Sequence, residues 1–171
     1  MEIARLIREY QAKTGKPLTI GAVESATGGR IADRITNVAG SSDYFKGSVV
    51  AYSNEAKTSL LGVKKATFER YGAVSEQTAL EMALGGRKLL DVDVCISDTG
   101  SAGPAGGTPS KPVGLFYLGL AAERTSFTQT HVFQGNREMI KRDAAEATLD
   151  LLKQYLVKCV SAIDQSQGRK D

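Results

Sequence analysis

Leu18-Thr19-Ile20-Gly21-Ala22-Val23 runs directly into Glu24-Ser25-Ala26-Thr27-Gly28-Gly29, and Arg30 to Thr36 follows. A short apolar run closed by small turn residues reads as a buried strand. The glycines form the turn, and the residues after them open a helix. Strand, tight turn and helix in this order start a parallel crossover unit, because parallel strands need a long connection between them.

Outward from this stretch the same alternation continues. Ile3, Leu6, Ile7 and Tyr10 keep helical spacing from Glu2 to Lys13, and Gly15 and Pro17 end that helix. Downstream, Gly47 to Tyr52 is β-like, and Ser53 is placed to cap a helix from Asn54 to Leu61. Ser75 opens a helix to about Leu90, and Val92 to Ser97 is a strand in which Val92, Val94 and Ile96 alternate. Val113 to Ala121 and Phe127 to Phe133 are two further strands, joined by a polar turn near Glu123-Arg124. A helix from Arg137 to Lys158 buries Ala145, Leu149, Leu152, Leu156 and Cys159, the last as a packed small hydrophobe.

Helical crossovers make the first three strands parallel, and the short turn makes the last two antiparallel. The expected fold is therefore α/β: a three-layer α/β/α sandwich around a mixed, mostly parallel five-stranded sheet. It forms one domain over residues 1–160, with a frayed polar tail over 161–171.

Composition excludes several classes. The chain has 171 residues, 42% hydrophobic and 24% charged, which suits a packed core rather than a disordered segment. No run approaches the roughly 18 apolar residues of a membrane span. Glu2, Arg5, Arg8 and Glu9 interrupt any signal-peptide core. Cys95 and Cys159 show no CxxC spacing, and with a single histidine they leave no zinc constellation. The expected compartment is the cytoplasm. Lys and Arg are dispersed and the net charge is only +3, part of it from Gly168-Arg169-Lys170-Asp171, so no direct nucleic-acid contact is expected.

Open α/β sheets bind ligands beyond the carboxyl ends of their parallel strands, and three segments leave those ends. In the first, Thr27, Gly28 and Gly29 can bring backbone N–H groups to an anion; alternatively, Thr27 simply caps the helix. In the second, Tyr52-Ser53-Asn54-Glu55-Ala56-Lys57, Lys57 falls in the first helical turn. The positive helix end and partial burial would depress its pKa and allow it to take a proton from a hydroxyl; the plainer reading is a lysine pointing into solvent.

The third segment, residues 98–114, is glycine- and proline-rich. It can form an N–H nest for phosphate, or it can be a flexible surface loop. Arg137 could grip a phosphate or carboxylate, or pair with a neighbouring acid. His131 reads as a pairing or edge residue of the last strand. Tyr44, Phe45 and Tyr71 read as packing residues.

Six ordered runs carry a resemblance: Glu24 to Gly29, Ala39 to Phe45, Tyr52 to Lys57, Tyr71 to Glu76, Thr99 to Pro104 and Lys111 to Gly114. Over residues 2–157 the chain resembles the C-terminal domain of the CinA competence/damage-inducible family in its stand-alone form. The resemblance implies a nicotinamide-nucleotide amidohydrolase that converts nicotinamide mononucleotide (NMN) and water to nicotinate mononucleotide and ammonia, without metal or cofactor.

It further implies Ser25 as nucleophile, Lys57 as base and Tyr52 as orienting or relaying group, with N–H groups near Thr27, Gly28 and Gly29 holding the oxyanion. Asn54, Thr99, Gly100, Gly103 and Arg137 would hold the substrate. Many relatives carry cysteine where Ala26 stands, so a thiol at that place is not essential to an active chain. Asp98 also departs from the small residues common before the glycine.

Which of Ser25, Ser41 and Ser42 attacks stays open at this point. So do a nucleotide-binding regulatory module without turnover, an interaction protein connected with competence or DNA damage, and a homo-oligomer.

Overall fold

The structure is a computed structural model describing residues 2–167. The elements in order are α1 (Glu2–Thr14), β1 (Ile20–Glu24), α2 (Arg30–Thr36), β2 (Phe45–Val50), α3 (Asn54–Leu61), α4 (Lys65–Tyr71), α5 (Glu76–Leu90), β3 (Val94–Gly100), β4 (Leu115–Ala122), β5 (Ser126–Val132) and α6 (Arg137–Gln167). A 3-10 turn at Ser41–Asp43 precedes β2. Two of the helix starts are fixed by local chemistry: the Ser53 and Ser75 hydroxyls accept from the N–H groups of Ala56 and Thr78.

The sheet order is β2-β1-β3-β4-β5. β1 pairs in parallel with β2 and β3, while β4 is antiparallel to β3 and to β5. Four of the five strands thus point one way, and β4 alone is reversed. Side-chain alternation sorts the core into two layers. Ile20, Ala22, Val94, Ile96, Phe116 and Leu118 face α1, α2 and α6; Val23 and Cys95 face Leu61 of α3 and Met82 of α5. The three-layer α/β/α sandwich follows directly. Among the described residues no helix is long and apolar enough to cross a membrane.

Several boundaries differ from expectation, each for a physical reason. β3 begins at Val94 and runs to Gly100, because its residues pair with β4 as far as Phe116. Asp98, Thr99 and Gly100 are therefore strand residues rather than loop. α4 has no sequence signal: its N-cap is Lys64, which makes no side-chain cap.

α6 continues to Gln167 instead of fraying after Ser161, and Asp164 pairs with Lys13 of α1. Residues 168–171 of the expected tail lie outside the described residues. Cys159 is only half-buried. Tyr44 is buried, but Tyr71 is 37% exposed with Arg70 stacked over its ring, so it is not a packing residue.

Candidate functional site

β1 lies between β2 and β3, so the chain goes from β1 out to β2 and then crosses back over β1 to β3. The crossover to β2 passes through α2 on one face, and the crossover to β3 passes through α3, α4 and α5 on the other. The carboxyl ends of β1 and β3 therefore part around a crevice, the position where open α/β sheets take ligands. A cleft of about 230 Å³ lies there, lined by Ser25 and Ala26 after β1, by Tyr52, Asn54 and Lys57 around the start of α3, and by Ala73 and Val74 before α5. Thr99, Gly100, Ala102 and Arg137 complete its wall.

Lys57 is 2% exposed, and its Nζ donates to the carbonyl of Tyr52 at 3.1 Å. It forms no ion pair among the described residues. Burial pushes its pKa below the ordinary lysine value, while the charge of Asp98 acts the other way. Ser25, 7% exposed, shares the cleft. Ser41 and Ser42 sit before β2, at the amino ends of the parallel strands and so at the opposite edge of the sheet.

Tyr52 is 61% exposed at the cleft mouth. Arg137 donates from Nη2 to its hydroxyl at 3.0 Å and from Nη1 to the carbonyl of Gly103 at 2.6 Å. A phenol that accepts from Arg137 keeps its own proton free for a ligand. Gly103 thus enters the site as a support for Arg137 and does not line the cleft. Thr99 lines it, but its hydroxyl donates to the carbonyl of Ala73 at 2.7 Å, leaving it an acceptor.

The turn expected to receive an oxyanion is differently built. Glu24 Oε2 accepts from the N–H groups of Gly29 at 2.7 Å and Ile31 at 3.1 Å, and from the Thr27 hydroxyl at 2.9 Å. Its Oε1 accepts from Ala32 N at 2.9 Å and Ser48 Oγ at 3.0 Å. The positive end of α2 is therefore already closed by a carboxylate of this chain. Thr27 N donates to Asp98, so neither Thr27 nor Gly29 offers its N–H to a ligand. Gly28 and Gly29, at φ 63° and 97°, turn the chain into α2 and stay outside the cleft lining, with Lys141 beside Gly28.

Asp98 is the residue that sequence reasoning did not place. It is fully buried, and it accepts from Ser25 N at 3.0 Å, Ala26 N at 2.9 Å, Thr27 N at 3.2 Å and the Thr27 hydroxyl. Its pKa is raised to about 6, chiefly by burial and in part by the charge of Glu24, with the Thr27 and Ser25 hydrogen bonds acting against the rise. The only available signal was an acidic letter inside an otherwise small and apolar strand. Lys111 was also missed: its Nζ donates to the carbonyls of Tyr71 at 2.5 Å and Val74 at 2.7 Å, holding the turn that forms one cleft wall. Cys95 lies in the core beneath α5, its thiol pushed up to about 12 by burial, and is not a nucleophile.

Comparison with known proteins gives the family. Residues 4–156 match the model of the CinA C-terminal domain. A CinA-like protein of Kosmotoga olearia is 49% identical over 148 residues, 86% of this chain and 35% of that protein. A CinA-like protein of Syntrophomonas wolfei is 50% identical over 145 residues, 85% of this chain and 34% of that one. The chain thus spans about a third of the length of these relatives.

Among solved structures, a competence/damage-inducible protein from Agrobacterium tumefaciens superposes with a TM-score of 0.78 at 36% identity, covering 90% of this chain and 95% of that one. A competence-damaged protein (CinA) superfamily protein from Klebsiella pneumoniae gives 0.82 at 28% identity, covering 92% and 97%. By domain match, by identity along most of its length and by fold, the chain belongs to the CinA C-terminal domain family.

Proposed function

We propose that this chain hydrolyses the carboxamide of nicotinamide mononucleotide, with Ser25 as nucleophile and Lys57 as general base. The observation that carries the reading is a serine and a buried lysine, its proton affinity lowered by burial, in one cleft at the sheet's switch point. A neutral amine can take the hydroxyl proton as Ser25 Oγ attacks the carboxamide carbon. The C–N bond then breaks, Lys57 passes the proton to the leaving nitrogen, and ammonia departs. Water attacks the resulting ester, Lys57 takes its proton and returns it to Ser25 Oγ as the ester C–O bond breaks, and nicotinate mononucleotide leaves.

Tyr52 holds Lys57 through its carbonyl and presents its phenol at the mouth, where it can orient the amide or relay the proton. Arg137, fixed by Gly103 and Tyr52, is the cleft's guanidinium for the substrate phosphate. With the N–H groups of Thr27 and Gly29 engaged, the Asn54 side chain is the polar group of the cleft wall assigned to the oxyanion.

The test is ammonia release from NMN by the purified chain and by Ser25→Ala and Lys57→Ala. Release by the parent and its loss in both variants is expected, with Lys57→Ala still binding NMN by titration calorimetry. Loss of binding instead would make Lys57 a phosphate ligand. Asp98 seated in the N–H nest of residues 25–27 favours a second reading, a nucleotide-binding module without turnover. A folded parent that binds NMN and releases no ammonia would establish that reading.

A further inference from the structure

In the turn between α4 and α5, four carbonyls in a row each accept from a side chain. Tyr71 and Val74 accept from Lys111 Nζ at 2.5 and 2.7 Å, and Ala73 accepts from the Thr99 hydroxyl at 2.7 Å. Gly72 accepts from the Ser75 and Thr78 hydroxyls at 2.9 and 3.0 Å. Only Lys111 brings a charge to this turn, and charge-assisted bonds are roughly twice as strong as neutral ones. Gly72, at φ 80°, makes the room, since a Cβ there would stand 3.0 Å from Nζ. Lys111 forms no ion pair among the described residues, so its ammonium is committed to these carbonyls.

The loop that carries Lys111 reaches both sides of the cleft. Residues 101–114 are closed at their base, where Ser101 N donates to the Leu115 carbonyl at 2.9 Å and Gly114 N to the Ser101 carbonyl at 2.7 Å. Further out, Thr108 and Lys111 exchange backbone bonds at 2.9 and 3.1 Å, and the Thr108 hydroxyl accepts from Lys111 N at 3.0 Å. This fixes where the Lys111 side chain leaves the loop. The same loop gives the Gly103 carbonyl to Arg137. Arg137, Ala73 and Val74 line the cleft, and Lys111 does not. One loop thus fastens a guanidinium on one side and an apolar wall on the other, and an apolar wall is what a flat aromatic ring needs. We infer that Lys111 is a positioning residue for the substrate. By gripping the carbonyls of Tyr71 and Val74 it sets the place of Ala73 and Val74, the surface against which the pyridine ring lies. This rests on the proposed amidohydrolase for the ring, but not for the hold of Lys111 on the wall.

A group that holds a wall through its backbone acts on binding and leaves the reacting atoms alone. Lys111→Ala should therefore raise KM for NMN by roughly tenfold, the scale of one lost charge-assisted hydrogen bond. Titration calorimetry should show NMN binding weakened by the same factor, while kcat and the pH profile of ammonia release stay as in the parent. Propylammonium, which replaces the deleted atoms and carries N–H donors, should recover most of the loss. Tetramethylammonium at the same concentration, a cation without a donor, should not. The amides of Gly72 and Ser75 share peptide units with the two carbonyls, so their NMR resonances should shift in Lys111→Ala and return with propylammonium. Lys111→Met, which also lacks the donors, carries the test if Lys111→Ala fails to fold by circular dichroism.

An unchanged KM and binding constant would overturn the inference. A fall in kcat at constant KM would overturn it as well, and would put Lys111 in the chemistry. Equal recovery by tetramethylammonium would also overturn it, because charge rather than donation to the carbonyls would then be at work. If the parent neither binds NMN nor releases ammonia, but the Gly72 and Ser75 resonances still respond to the loss of Lys111 and to propylammonium, the hold on the wall stands and the amidohydrolase reading fails.

Discussion

Glu24 accepts from five donors, and truncating it to alanine leaves three N–H groups and two hydroxyls without that partner in a buried place. At roughly 1–3 kcal/mol for each buried group left unpaired, Glu24→Ala should lose at least about 3 kcal/mol in urea denaturation, and Glu24→Gln less. Neither Glu24 nor Asp98 could be read this way from the sequence. The partners of Asp98 are residues 25–27, more than 70 positions away, and nothing local marks them. Lys57 and Ser25 were legible because each sits within a few residues of a strand end and a helix start. The N–H groups of Thr27 and Gly29 were misread for the same reason: the turn looked free when its anion was supplied from within the fold.

Helices announced by a cap and a period were placed well. α2, α3 and α5 match their expected limits because Gly29, Ser53 and Ser75 start them and apolar spacing carries them. α4 was not seen, since seven residues behind an uncapped lysine give too little period. Strand ends were blurred because pairing, which the sequence does not display, decides where a strand stops.

Packing between elements also carries a prediction. A methyl group at Gly85 of α5 would overlap the carbonyl of Leu61, at the end of α3. Gly85→Ala should therefore destabilise by about 3 kcal/mol and shift the helix that holds Lys57. The expected result is a lower melting temperature together with a lower kcat for ammonia release, which a distant surface substitution would not produce.

For the molecule as a whole, the pKa of Asp98, raised from 3.8 to about 6, gives stability an unusual slope. The folded state holds this proton more tightly than the unfolded chain, so its contribution is complete below pH 3.8 and is lost as pH rises through about 6. At 1.36 kcal/mol per pH unit the loss is about 3 kcal/mol by pH 7. The stability gap between parent and Asp98→Asn, measured by urea titration between pH 4 and 7, should change by that order, with the variant gaining on the parent as pH rises. A flat gap would refute the shift.

The order β2-β1-β3-β4-β5 also sets a timetable. β3, β4 and β5 form a contiguous meander, whereas β1 must find β2 across 25 residues, Ile20 to Phe45, and β3 across 74, Ile20 to Val94. The longer closure costs roughly 1 kcal/mol more in chain entropy. Ser25 meets Asp98 only when that closure is made, so the cleft is the last part of the sheet to assemble. On dilution from urea, binding competence should return with the slowest phase, after most of the far-ultraviolet signal has recovered.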